Sequence, residues 1–292
     1  MSDSDLPDLA LSSRAARRSR IVRGVVSHLL LILVAAAFAV PFVYMVATSL
    51  KPADEVFTTP PRLLGSQIRW QNYSDALAFL PFGRFILNGF MVAFCGTVVV
   101  LVASSLSAYA FARLRWRGRN SVFLAFLMTL MIPQEVLVVP MYVLMRWLGW
   151  VDSYQALIFP WAFTAFGTFL LRQFFLTVPR ELEEAAWIDG AGFVRSFLLI
   201  MLPLARPALA VLAAFTFIGY WNSFLWPLIV IDSVEERGTV PVGLNLFFGQ
   251  QGSQWNLVMA ASVVSMAPTA VLVLLLHRHL VRGIAATGLA GR

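Results

Sequence analysis

Glu184-Ala185-Ala186-Trp187-Ile188-Asp189-Gly190-Ala191 is a charged, small-residue, glycine-broken island that runs on through Phe197 and Ile200 to Leu202-Pro203-Leu204 and Pro207. The chain around it is apolar: of 292 residues, 59% are hydrophobic and 13% charged, where soluble domains carry about a quarter charged. Apolar runs of about 20 residues recur, enough to cross a hydrocarbon core about 30 Å thick. The short alternating segments of a membrane strand barrel are missing from the sequence. Composition therefore predicts an all-α, polytopic membrane protein, and the island must be one elaborate loop outside the bilayer.

Six spans are expected, at residues 25–49, 85–112, 121–143, 154–175, 208–231 and 257–276. The third and fourth contain Pro133, Pro140 and Pro160. Such breaks survive in a membrane only where neighbouring helices or water satisfy the freed carbonyls, so these spans should pack inside a bundle. Residues 1–23, rich in Ser, Asp and Arg, read as a disordered tail, with the transmembrane domain following from 24 to 292.

The net charge of +7 is arranged by topology and does not point to nucleic acid. Sixteen arginines fall on one side: five in the N-terminal tail, four at Arg113–Arg119, four at Arg172, Arg180, Arg195 and Arg206, and three after the last span. Lys51, Arg62, Arg69, Arg84, Arg146 and Arg237 are the six basic residues of the other side. The richer side is expected to be cytoplasmic, which puts both termini and the island inside. The start is acidic and its first apolar run is too long for a signal h-region, so no cleavable signal is expected.

Within the loop, about 176–207, Pro179 suits the first turn of a helix, and Glu181, Glu183 and Glu184 suit the positive end of its dipole. Leu182, Ala185, Ala186 and Asp189 share one helical face. Gly190 sits where a left-handed C-terminal cap is wanted. Phe193, Phe197, Ile200 and Leu204 repeat the spacing on a second short helix. The first helix is thus rimmed by acids that offer pairing to a partner's basic residues, with alanines at its centre that allow close approach. The plainer alternative is a cytoplasmic loop lying on the membrane with its acids solvated.

The order of residues decides between them. Glu184-Ala185-Ala186, three residues, Gly190, nine residues, Ile200, one residue and Leu202-Pro203 meets every spacing of the EAA loop, and the chain resembles the permeases of binding-protein-dependent ABC importers. Leu87-Asn88, Ala108-Tyr109-Ala110-Phe111-Ala112-Arg113, Ile132-Pro133, Trp221-Asn222-Ser223-Phe224-Leu225-Trp226-Pro227 and Met259-Ala260-Ala261-Ser262 resemble the carbohydrate branch, in its maltose-permease G-subunit type. The ending Gly288-Leu289-Ala290-Gly291-Arg292 departs from the Gly-Ala-Val-Lys-Gly usual there. The resemblance implies a six-helix type I importer fold in a bacterial inner membrane. It also implies a second homologous permease subunit, two ATPase subunits, an extracytoplasmic solute-binding protein, and coupling to the ATPase through Glu184, Ala185, Ala186, Asp189, Gly190 and Ala191.

Chemistry agrees with that division of labour. A P-loop needs a lysine after glycine, and the only lysine, Lys51, follows Leu50 on the opposite side. No cofactor is expected in this chain, with ATP and magnesium on the ATPase subunits. Cys95 is the single cysteine, and His277 and His279 do not share a helical face, so no metal site is expected. Nor does a nucleophile–base constellation appear, so the chain is not read as an enzyme.

Polar groups within spans mark candidates for a solute path. Gln134 and Glu135 follow Pro133, and Asn222 follows Tyr220 and Trp221. At 1.5 Å per residue, Glu135 and Asn222 each lie about 22 Å from the loop end of their spans, which predicts one polar layer. Asn88 is a further candidate. Such a layer suits a hydroxyl-rich solute: a sugar or related polyol is expected, since no arginine stands mid-span to meet an anion, with glycerol phosphate or its diesters as the alternative. An ion-gradient-driven transporter or channel is the alternative class; it would favour inverted repeats and several buried ionisable groups, and neither is evident.

Overall fold

The computed structural model describes the backbone of residues 6–248 and 254–289, and the side chains of residues 23–248 and 254–276. Every regular element among them is helical. In chain order the helices are α1 (Leu6–Ser49), α2 (Gln71–Phe79), α3 (Phe82–Ala112), α4 (Arg119–Met128), α5 (Val138–Trp147), α6 (Tyr154–Ile158), α7 (Ala165–Thr177) and α8 (Glu181–Ile188). There follow α9 (Phe193–Ser196), α10 (Leu202–Leu204), α11 (Arg206–Trp221), α12 (Leu225–Val230), α13 (Val234–Arg237), α14 (Val240–Leu246) and α15 (Trp255–Leu289).

Three stretches are long and apolar enough to cross a membrane alone: Arg23–Ser49, Phe82–Ala112 and Trp255–Leu276. Three bent pairs bring the total to as many as six. The first helix differs from expectation at its start. Helix runs back to Leu6, over most of the segment expected to be a disordered tail. Its Ala, Leu and Arg residues are good helix formers, and Pro7 falls in the first turn, where a missing N–H is tolerated. The side chains of His277 and His279 and the final residues 290–292 lie outside the described residues.

The prolines act locally. Pro133 pushes Ile132 into an extended conformation, φ −86° and ψ 116°, as pre-proline sterics dictate. The legs Arg119–Met131 and Gln134–Trp147 then meet at 94°. The third span, expected to break at its prolines, is therefore a sharply folded pair. Pro140 sits in the first turn of α5 and breaks nothing. The fourth span bends by 48° between Trp161 and Ala165, where the Thr164 hydroxyl caps α7 by accepting the Gly167 N–H at 3.2 Å. The expected span 208–231 is also divided: α11 stops at Asn222 and α12 resumes at Leu225.

α3 is the axis of the bundle. Its buried stripe includes Phe85, Val92, Gly96, Val100, Ser104 and Ala108. Small residues there let helices approach closely, the usual basis of packing in lipid. A Cβ on Gly96 would lie 2.6 Å from the Tyr220 ring of α11. At the end bearing the Glu184 loop, Ala108, Tyr109 and Ala112 pack with Leu171 and Phe175 of α7 and with Phe197 and Met201. Toward the opposite end, Phe82, Phe85 and Ala93 pack with Trp221, Val240 and Phe247.

Two of the counted basic residues are packed within the fold. Arg172, read as a loop arginine, lies within α7 with its guanidinium 4.1 Å from the centre of the Phe123 ring. Lys51 is 1% exposed, and its ammonium donates to the Arg62 carbonyl at 2.5 Å.

Candidate functional site

The loop folds as two short helices joined by a glycine. α8 begins at Glu181 with Arg180 as its N-cap, so Pro179 lies just before the helix and not in its first turn. Glu181, Glu183 and Glu184 fill that first turn. At the other end, the Ala191 N–H reaches the Ala186 carbonyl at 2.8 Å and the Gly190 N–H reaches the Trp187 carbonyl at 3.0 Å. This pair of bonds is a Schellman cap, and it needs Gly190 at φ +82°. The Trp187 and Phe193 rings meet edge-on at 5.4 Å across the turn. Leu182, Glu184, Ala185 and Asp189 are exposed, Ala186 and Ala191 half-buried, and Ile188 is 87% exposed. The six expected coupling residues are thus all at least partly accessible.

The second helix departs from its expected stripe. A π-turn at Phe197–Met201 shifts the phase, so Ser196, Phe197, Met201 and Ala205 face the bundle. Phe193, Val194, Leu198 and Leu199 remain open. The segment Phe193–Leu204 meets α11 at 76°.

Glu183 is the larger departure. It was expected on the acidic rim, but its residue is only 2% exposed. Its carboxylate lies 2.9 Å from Arg113 Nε, with the two side chains 5% and 3% exposed. The Tyr109 hydroxyl faces Glu183 Oε1 at 3.1 Å and the Phe193 carbonyl at 3.4 Å. Arg113 Nη2 donates to the Val178 carbonyl at 2.5 Å. The signal in the sequence was the Tyr109–Arg113 spacing of four, which stacks both side chains on one face of α3. Glu183, for its part, lies off the face shared by Leu182, Ala185, Ala186 and Asp189.

A cavity of about 350 Å³ lies between the break before Gln134, the bend after Trp161 and α11. Gln134, Trp161, Thr164, Thr216, Tyr220 and Ser223 supply its polar lining, and Phe166 and Phe215 its apolar wall. No ionisable carboxylate, guanidinium or amine lines it. The Tyr220 hydroxyl is committed to the Ile158 carbonyl at 2.7 Å, while the buried Trp161 indole N–H has no partner. Trp161, Thr164, Thr216 and Ser223 were missed because the bends that gather them are tertiary.

The structure brings Gln134 and Tyr220 together and places the other candidates elsewhere. Trp221 is 3% exposed, and its indole donates to the Ser265 carbonyl at 3.0 Å. Asn88 donates to the Glu236 and Gly238 carbonyls at 2.9 and 3.0 Å and accepts from the Tyr154 hydroxyl at 2.9 Å; it is a clamp. Glu135 is exposed and Asn222 caps α11, both outside the cavity lining. The depth count fails for Glu135 because the 94° bend turns its leg away from a straight helix. Trp226 is buried as well, its indole donating to the Ala156 carbonyl at 2.8 Å.

Beyond the cavity, Asp152 ties the turn before α6 to α13. Its carboxylate accepts the Ser233 N–H at 3.0 Å, the Ser233 hydroxyl at 2.7 Å and Arg237 Nη1 at 2.8 Å. Burial by itself would raise this carboxyl; the Ser233 hydrogen bonds and the Arg237 charge outweigh it and hold the carboxyl below the usual aspartate range. No three of His, Cys, Asp and Glu converge among the described residues.

Residues 100–286 match the family described as "Binding-protein-dependent transport system inner membrane component". The chain belongs to this family. The permease is 41% identical over 266 residues to the sn-glycerol-3-phosphate transport system permease protein UgpE of Yersinia pestis bv. Antiqua (strain Antiqua), across 88% of its own length and 94% of the relative's. It is 40% identical over 267 residues to the protein so named in Pectobacterium atrosepticum, with the same coverage. Its fold matches a chain of a bacterial ABC transporter involved in the import of the acidic polysaccharide alginate, with TM-score 0.76, 25% identity, and 89% and 97% of the two chains covered. A chain of the bacterial alginate ABC transporter in complex with alginate pentasaccharide-bound periplasmic protein shares the fold at TM-score 0.63 and 17% identity, over 85% and 91%. The permease is therefore a non-enzymatic, multi-pass inner-membrane subunit of an ABC importer. The reading as an ion-gradient-driven transporter falls with the family assignment.

Proposed function

We propose that this permease forms half of the translocation pathway of an importer for a small, hydroxylated solute, with glycerol 3-phosphate as the leading substrate class. The identity of 41% over 88% of the chain to glycerol-3-phosphate permeases carries that reading. The cavity's hydroxyls, amide and indole suit the glycerol end of such a solute. Its lack of a cation means that a second, homologous permease subunit would have to meet the phosphate. A neutral sugar is the second reading, favoured by the same uncharged lining.

In this reading the arginine-rich end faces the cytoplasm, and Glu184, Ala185, Ala186, Asp189, Gly190 and Ala191 meet one of two ATPase subunits, which hold the ATP and magnesium. A solute-binding protein delivers from the opposite side. Closure of the ATPase pair moves the loop and opens the cavity outward, an alternating-access cycle. The test is uptake of labelled glycerol 3-phosphate, maltose and trehalose by the full complex in vesicles with its binding protein. Transport of glycerol 3-phosphate alone is expected; transport of a neutral sugar alone would move the assignment to the second reading.

A further inference from the structure

Residues on neighbouring positions of α8 have opposite fates. Glu184 points out, and Glu183 is gripped from inside by one turn of α3. That turn reaches three points of the loop: Arg113 holds the Val178 carbonyl ahead of α8 and pairs with Glu183 within it, while Tyr109 meets Glu183 and the Phe193 carbonyl beyond it. The Tyr109 ring also packs on Phe197 at 5.0 Å and Phe175 at 6.3 Å. Among the described residues, the other ion pairs, those of Arg237, are far more open than this one.

We propose that Arg113, Glu183 and Tyr109 are the joint through which displacement of the α8 loop moves α3. The proposal rests on the reading of α8 as the ATPase contact. Pulling α8 away from α3 would strand a buried charge, which is costlier than moving together. α3 carries that movement inward: Val100 lines the cavity, and Gly96 presses against the ring of Tyr220, another lining residue. These three are positioning residues; none of them lines the cavity.

The experiment uses the whole complex in vesicles with its ATPase, partner permease and binding protein. Glu183→Gln is expected to leave ATPase co-purification intact and hydrolysis within about twofold, while uptake falls roughly tenfold, the scale of a coupling change. Glu183→Asp should recover part of the uptake, and so should the exchange Arg113→Glu with Glu183→Arg. Glu183→Gln with normal uptake and normal hydrolysis per solute would overturn the joint. If Glu183→Gln fails to assemble, Tyr109→Phe decides, because it removes one hydroxyl and leaves the ion pair. Loss of uptake with hydrolysis retained supports the joint, and normal coupling overturns it. Gly190→Arg tests the contact surface separately: if it still binds ATPase and transports normally, the loop reading itself fails, whatever Glu183 does.

Discussion

Glu183 and Arg113 form an ion pair at 2.9 Å with both side chains almost wholly enclosed, joining the coupling loop to the end of the central helix. Removing one partner from a buried pair leaves the other uncompensated and costs about 3–5 kcal/mol, whereas apolar replacement of both is often neutral. Arg113→Met should therefore lower the thermal midpoint of the purified complex markedly. The double variant Arg113→Met, Glu183→Leu should regain most of that loss. Equal midpoints for the single and double variants would argue against a buried charge as the cause.

Gly190 offers a cleaner backbone test. It sits at φ +82° with nothing within 4 Å of a built Cβ, so substitution there meets strain without a clash. A left-handed alanine costs about 1–2 kcal/mol, and asparagine less. ATPase affinity should fall in the order Gly190, Gly190→Asn, Gly190→Ala, Gly190→Val, as read by titrating ATPase onto the permease complex. An alanine variant that binds as tightly as the parent would show that the cap geometry does not matter for docking.

These two sites mark what the sequence makes legible. Gly190 was readable because a Schellman cap is local: a helix period, a stop and one residue type specify it. The bends at Pro133 and after Trp161 were readable as breaks, for the same reason. Their angles were not, because the packing of neighbouring helices sets them. The solute cavity depends on those angles, so Gln134 and Tyr220 were found while Trp161, Thr164, Thr216 and Ser223 were missed. Glu183 was misread for a related reason. A helical wheel shows that it leaves the Leu182 face, but only the fold reveals Arg113 waiting on the other side.

Asp152 gives a pH dependence with a definite sign. Its folded-state carboxyl is held below the ordinary aspartate range, so the clamp to Ser233 and Arg237 contributes stability above the ordinary value and loses it as pH falls through the depressed one. The site is partly open, so salt screens the contribution and it stays small. Asp152 adopts φ 57°, a conformation asparagine also tolerates, which lets Asp152→Asn isolate the charge. Limited proteolysis of the turn before α6 should separate the two proteins between neutral pH and about 4 and converge at lower pH, where aspartate is protonated. A difference that does not shrink at all as pH falls below about 4 would refute the linkage.

The cavity wall can be moved from behind. Gly96 is separated from Tyr220 by less than a methyl group's room, with a Cβ placed 2.6 Å from the ring, and Tyr220 is anchored by its hydroxyl on the Ile158 carbonyl at 2.7 Å. Gly96→Val should push the ring toward the cavity at an overpacking cost of about 1–3 kcal/mol. Uptake should fall, with KM raised more than the hydrolysis rate changes. Trp161→Phe works on the same cavity from the opposite wall: it keeps an aromatic side chain but loses the pyrrole half of the indole with its unpartnered N–H, so it should raise KM by roughly tenfold or less, the worth of one hydrogen bond. Trp226→Phe is the control. Its N–H is already spent on the Ala156 carbonyl, so it should lower stability and leave KM unchanged. If Trp161→Phe and Trp226→Phe alter KM alike, the indole of Trp161 does not face the solute.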